Sequence, residues 1–305
     1  MRRTSLPLLL SIFIGILLPK LDGYQNIFLY AGAVFLFLSG LELNLKGLKN
    51  NFGLLFGLAL GAFLPPFLTG YACGILFPKM FPSPVEISVQ VTAYIIGLAM
   101  SVSAVPVIIK ILQELKILGT ALGRNIIMTA TLCDVAAWLL FLPLLPASAQ
   151  SSWILSHLTL LLFFIGMAVS FFADKLMNKQ IENFYWLKGI NTWLVAPLFF
   201  IGVGQKLNFT DGINLPQIVL IFILGSISKI GGVLLAGRLM KLPMRDNKII
   251  AVALNARGAM EIILASLALQ AGLIDKNLFT SLIVLALGTT IAIKPILKKL
   301  LRQPI

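Results

Sequence analysis

Charge is scarce in this chain. Asp, Glu, Lys and Arg make up 11% of its 305 residues, against about 25% in soluble domains. Hydrophobic residues make up 59% and are spread over the whole length. That distribution excludes a soluble globular protein and implies a polytopic membrane protein, with the lipid bilayer as its first partner. Histidine is scarcer still. The single His157 lies at the edge of an apolar run, which excludes a histidine-based metal site. The only cysteines, Cys73 and Cys133, both lie inside apolar runs, so there is no disulfide framework. Acidic residues number 11 against 24 basic ones, for a formal charge of +13. On a soluble protein such a balance would point to nucleic acid. Here the basic residues sit in short loops, so the excess is a topology signal and no nucleic-acid partner is expected. No nucleophile–base pair, metal-ligand spacing or phosphate-binding loop is present, so an enzyme is not expected, and no cofactor is called for.

What is present is a series of apolar runs. Ten are candidates for spanning helices: 5–19, 26–45, 52–78, 88–113, 118–145, 153–174, 190–206, 214–239, 247–273 and 276–297. The first reads as a spanning helix and not as a signal peptide, because nine more follow it. With the N-terminus in the cytoplasm, 17 of the 24 basic residues fall in inside segments and only Lys20, Lys79, Lys206 and Lys276 outside. The remaining three, Lys229, Arg257 and Lys294, lie within apolar runs. The asymmetry predicts both termini on the cytoplasmic side of a bacterial-type cytoplasmic (inner) membrane, with ten crossings.

Ten crossings split near Ser151–Ser152 into two halves of five, residues 1–152 and 153–305, with opposite starting sides. That is an inverted repeat, a layout common among secondary transporters. Weak internal similarity falls at equivalent positions. The second segment ends in GLELNL from Gly40 and the seventh in GQKLNF from Gly204, while the first and sixth share Ile-Gly at Gly15 and Gly166.

Several polar residues sit at membrane depth. The fourth segment carries Ser101, Ser103 and Pro106 near its middle. Pro106 removes an intrahelical donor and disfavours helical geometry before it, so freed carbonyls and serine hydroxyls become candidate ligands for a cation. In the fifth, Asp134 lies 16 residues beyond Leu118, about 24 Å along the axis at ~1.5 Å per residue, with Thr129 and Thr131 in the preceding turns. An aspartate there is costly unless protonated, paired or in a wet cavity. A carboxylate that takes either a proton or a cation, but not both, is the minimum for antiport. The eighth segment holds Lys229 near its centre, for which Asp134 and Glu261 are candidate partners. The ninth holds Asn255, with Arg257 and Glu261 four apart on one face. The fourth and ninth segments are equivalent in the two halves, which predicts two interrupted helices crossing at the midplane.

The run from Ser101 to Trp138 resembles the core of the monovalent cation:proton antiporter-2 family, in the sodium/hydrogen exchanger superfamily. LFLSGLELNL from Leu36, PLFFIGVG from Pro197, SKIGG from Ser228 and LNARGAMEIILASLALQAGLI from Leu254 are similar to further family segments in the same order. The resemblance implies elevator-type exchange of Na⁺ or K⁺ for H⁺. It also implies a scaffold of segments 1, 2, 6 and 7 and an ion-binding core of segments 3–5 and 8–10, and a homodimer. The family's essential acid falls on Asp134, its core lysine on Lys229, and its arginine and glutamate on Arg257 and Glu261. Ser101, Ser103, Thr131 and Cys133 complete the candidate proton and cation site, and Pro106 marks the helix break. Cys133 stands where the family usually has Asp, Asn or Gln. Family members also usually have about thirteen helices, and the helices missing here include ones used for dimer contact. The resulting five-plus-five layout resembles that of the bile acid:sodium symporters. Sodium-coupled organic-anion symport and a degenerate, non-transporting homologue are therefore the alternatives.

Overall fold

The computed structural model describes residues 5–18, 25–41, 51–144, 158, 161–172, 189–207 and 214–302. The expected half boundary at Ser151–Ser152, together with His157 and the basic residues Arg2, Arg3, Lys20, Lys46, Lys49, Lys175, Lys179 and Lys188, lies outside them. Among the described residues all regular structure is helical, with no strand.

In chain order the helices are α1 (Ser5–Leu17), α2 (Gln25–Leu41), α3 (Phe52–Leu76), α4 (Val89–Ser101), α5 (Val105–Glu114) and α6 (Ala121–Phe141). They continue with α7 (Leu161–Phe172), α8 (Ala196–Lys206), α9 (Leu215–Leu239), α10 (Met244–Leu254), α11 (Ala259–Gln270) and α12 (Lys276–Arg302). A π-helical turn, Asn191–Val195, leads into α8. Pro197 follows as one of the first residues of α8 and has no N–H for the carbonyl four residues back, so the preceding turn widens. Six described spans are long and apolar enough to cross a ~30 Å hydrocarbon core. The chain is an integral, polytopic membrane protein.

The chain forms two compact units, Met1–Leu45 with Leu145–Phe209, and Lys46–Leu144 with Thr210–Ile305. Each draws on both halves of the sequence. In the first, α1 and α2 pack against α8, and glycines set the closest approaches. A β-carbon on Gly15 would stand 2.2 Å from the Ile201 carbonyl, and one on Gly204 would stand 2.2 Å from that of Ile12. Gly40 and Gly166 meet likewise, 2.3 Å from the Phe163 carbonyl and 2.2 Å from the Phe37 carbonyl. Small residues let helix backbones touch in lipid, where dispersion replaces the hydrophobic drive.

The second unit is built around α3, which packs against both α4 and α9. Pro65 and Pro66 lie within α3 without ending it. At the α3–α9 crossing, a β-carbon on Gly61 would be 2.6 Å from the Gly232 carbonyl, and one on Gly232 would be 2.2 Å from that of Gly61.

Two of the long spans are interrupted. The fourth apolar segment is α4 and α5, separated by Val102–Ala104, and the ninth is α10 and α11, separated by Asn255–Gly258. Val102 is extended (φ −61°, ψ 145°), and Pro106 opens α5. In the second interruption Gly258 lies close against α5, where a β-carbon would be 2.8 Å from Val107 Cγ2. These two spans are 78% and 94% buried, against 28–56% for the four others. The broken helices are thus the ones most enclosed.

Candidate functional site

The two interruptions are joined backbone to backbone. The Ala104 amide donates to the Ala256 carbonyl at 3.0 Å, and Ser103 Oγ donates to the Leu254 carbonyl at 3.1 Å. A helix that ends at membrane depth leaves carbonyls without intrahelical donors. At the end of α4 two buried cations supply them. Arg257 donates from Nη1 to Ala99 O (2.7 Å) and from Nη2 to Met100 O (2.5 Å). Lys229 Nζ donates to Ser101 O (2.5 Å) and Val102 O (2.8 Å). Four successive carbonyls are thereby capped by positive charge at the negative end of the helix dipole. Both side chains are fully buried. Arg257 Nη2 also reaches the Gly225 carbonyl on α9 (3.2 Å).

Across the break, the positive end of α5 faces a carboxylate. The Ser103 amide donates to Asp134 Oδ1 at 3.0 Å. Asp134 is fully buried, and among the described residues its Oδ2 has no hydrogen-bond partner. Glu261 lies in the first turn of α11, 3.6 Å from Arg257 Nη1, with no hydrogen bond to either oxygen among the described residues. Two cations and two acids therefore share one buried cluster, and a buried charge persists only with such partners.

The second interruption is completed by neutral groups. Besides the Ala104 and Ser103 contacts, Thr290 on α12 donates to the Arg257 carbonyl. Among the described residues the buried Asn255 amide oxygen has no hydrogen-bond partner.

The sequence-predicted residues are placed unevenly. Asp134, Ser103, Lys229, Arg257 and Glu261 come together around the first break. Ser101 contributes its carbonyl, while its hydroxyl turns to Phe63 O (2.9 Å) and Gly97 O (2.8 Å). Thr131 bonds back to Ile127 O (2.9 Å) on its own helix. Cys133 Sγ points to Ala59 O on α3 (3.7 Å). Lys229 does not pair as expected. Among the described residues it forms no ion pair with Asp134 or Glu261, because the carbonyls ending α4 take its protons. Arg257 lies in the break itself and not on a helix face shared with Glu261. Sequence reasoning missed Thr290. A hydroxyl in an apolar helix usually bonds its own i−4 carbonyl, as Thr289 does to Leu285 O (2.9 Å). Only the fold shows that its neighbour does otherwise.

Comparison with known proteins places these residues in context. The chain matches the family described as "Sodium/hydrogen exchanger, transmembrane" over residues 3–176 and 147–299. It is 24% identical over 265 residues to cation/H⁺ antiporter 19 of Arabidopsis thaliana, covering 66% of this chain and 32% of that protein. It is 26% identical over 107 residues to the Na⁺/H⁺-K⁺ antiporter GerN of Bacillus cereus, covering 34% and 27%. The Na⁺/H⁺ antiporter NhaS4 of Synechocystis sp. is 23% identical over 360 residues, covering 95% of this chain and 88% of that protein. The chain thus spans about a third of the length of the Arabidopsis relative (32%).

Proposed function

The chain belongs to the transmembrane sodium/hydrogen exchanger family, and from that premise we propose that it exchanges a monovalent cation, Na⁺ or K⁺, for H⁺, with Asp134 as the shared site. The observation that carries this is the environment of one carboxylate. Asp134 is fully buried beside a helix break, with one oxygen held by the Ser103 amide and the other accepting no hydrogen bond among the described residues. A proton or a cation satisfies that second oxygen, and each excludes the other. The relatives named as cation/H⁺ and Na⁺/H⁺ antiporters support the same chemistry.

In this scheme Lys229 and Arg257 are fixed charges. They hold the end of α4 and offset Asp134 and Glu261. The protonated and the cation-loaded cores then carry equal charge, so exchange is one for one. The six-span unit bears the site and moves by an elevator-type mechanism, with the unit of α1, α2, α7 and α8 as scaffold. A five-plus-five inverted repeat is supported by the glycine contacts. Exchanging the halves maps Gly15 to Gly166 and Gly204 to Gly40, and so maps the pair Gly15–Gly204 onto Gly166–Gly40. Loop charge supports cytoplasmic termini in an inner membrane. A homodimer belongs to the same proposal and is checked by subunit counting in liposomes.

The test is reconstitution into vesicles with an internal pH dye and an imposed proton gradient. Na⁺ or K⁺ added outside is expected to release the gradient; no release with Na⁺, K⁺ or Li⁺ would overturn the proposal. Sodium-dependent uptake of a labelled organic acid instead would favour symport.

A further inference from the structure

We propose that Thr290 is a positioning residue for exchange, the uncharged counterpart of Asp134, and that its hydroxyl sets cation affinity through the backbone of Arg257. This rests on Asp134 being the exchange site.

The helices α6 and α12 begin alike. Thr120 Oγ1 caps α6 by accepting from the Gly123 amide (3.1 Å), and Asp275 Oδ1 caps α12 by accepting from the Leu278 amide (2.8 Å). Counted from these caps, Asp134 lies 14 residues along α6 and Thr290 lies 15 along α12. Asp134 reaches the Ser103 amide in the first break, and Thr290 reaches the Arg257 carbonyl in the second. Each of these helices sends one polar side chain into one break at matching depth. One of the two is titratable and the other is not.

The hydroxyl of Thr290 has an easier alternative, its own i−4 and i−3 carbonyls at Ala286 and Leu287, the kind of local bond Thr289 makes to Leu285 and Ala286. Its bond to Arg257 instead fixes a crowded point. Gly258, the next residue, lies where a β-carbon would be 2.8 Å from Val107 Cγ2 and 3.7 Å from Thr290 Oγ1. The peptide between Arg257 and Gly258 is therefore held between α5 and α12. From it, direct contacts lead to the carboxylate. The Arg257 side chain caps Ala99 and Met100, the Ala256 carbonyl takes the Ala104 amide, and the Leu254 carbonyl takes the Ser103 hydroxyl. The Ser103 amide then holds Asp134. If the Arg257 carbonyl loses its donor, the peptide turns to find another, and the register of the two breaks shifts at Ser103.

The experiment compares Thr290→Val, Thr290→Ser and Thr289→Val in proteoliposomes, measuring exchange against Na⁺ and K⁺ concentration, with melting in detergent as a control. Thr290→Val is expected to raise the apparent KM for the cation about tenfold, the effect of one buried hydrogen bond, with a smaller change in maximal rate. Thr290→Ser restores the donor and should restore KM, and Thr289→Val should match the wild type. A wild-type KM in Thr290→Val, or an equal defect in Thr290→Ser, would overturn the proposal. Should Thr290→Val not fold, Thr290→Cys keeps the volume with a weaker donor. An intermediate KM there supports the proposal and a wild-type KM refutes it. Absence of exchange in the wild type overturns the assignment of Asp134 as well, whereas normal exchange with an indifferent Thr290 overturns only this role.

Discussion

Replacing Lys229 by Met isolates the part this lysine plays. Met keeps much of the volume and removes the ammonium, so the Ser101 and Val102 carbonyls, now at 2.5 and 2.8 Å from Nζ, lose their donors. Each buried acceptor left unsatisfied costs ~1–3 kcal/mol. The substitution also leaves Asp134 and Glu261 facing Arg257 alone, a change of the kind that is strongly destabilising in buried ion clusters. The two carbonyls alone give ~2–6 kcal/mol. At ~2–4 °C per kcal/mol for a domain somewhat smaller than this chain, the melting temperature in detergent should fall by roughly 5–20 °C. Exchange should be lost in whatever folded fraction is reconstituted. The assay is a thermal melt of purified protein followed by dye-monitored exchange at matched protein content. A melting temperature within ~2 °C of wild type would refute the capping role, since a side chain acting only as a proton carrier leaves those carbonyls satisfied by other means.

Other consequences are simpler. Gly61→Val places a β-carbon 2.4 Å from Ala236 Cβ and 2.6 Å from the Gly232 carbonyl, so α3 and α9 must separate at a cost of ~1–3 kcal/mol or more. Folded yield by fluorescence size exclusion should drop, while Gly53→Val, with nothing within 4 Å, should not change it. Burial raises the Asp275 carboxyl above its ordinary range, so folding favours its neutral form. The stability this contributes is full below the ordinary aspartate range and is lost as pH rises through the raised value. Asp275→Asn keeps the cap on Leu278 and should melt at least as high as wild type at neutral pH, with a flatter pH dependence between those limits. One-for-one exchange predicts that an imposed membrane potential leaves the initial rate unchanged, and a rate that follows the voltage would contradict it.

Much of the fold was legible because lipid enforces simple rules. Apolar length marked the spans, and Pro106 together with the polar residues of the ninth segment marked the interruptions. Asp134 stood out because a carboxylate at that depth needs a reason. Lys229, Arg257 and Glu261 were legible as a cluster, and so was the Arg257–Glu261 ion pair, but the partners of Lys229 were not. The sequence put arginine on glutamate and left lysine to Asp134 or Glu261. The folded chain first had to satisfy four carbonyls at the end of α4, and that requirement exists only once the helix is seen to stop at Ser101. Thr290 was illegible for a related reason. Its partner is a backbone carbonyl, and backbone groups leave no mark in a sequence. The glycine pairs were half visible, as matched positions in two halves whose meeting depended on the fold.

The central claim is that one carboxylate serves both ions. Asp134→Asn tests it most directly, because the amide oxygen of Asn can still accept from the Ser103 amide while the side chain carries neither charge nor a titratable proton. In vesicles with an imposed proton gradient, the account predicts a folded protein with a melting temperature near wild type and no release of the gradient by Na⁺ or K⁺. Undiminished exchange by Asp134→Asn would contradict it.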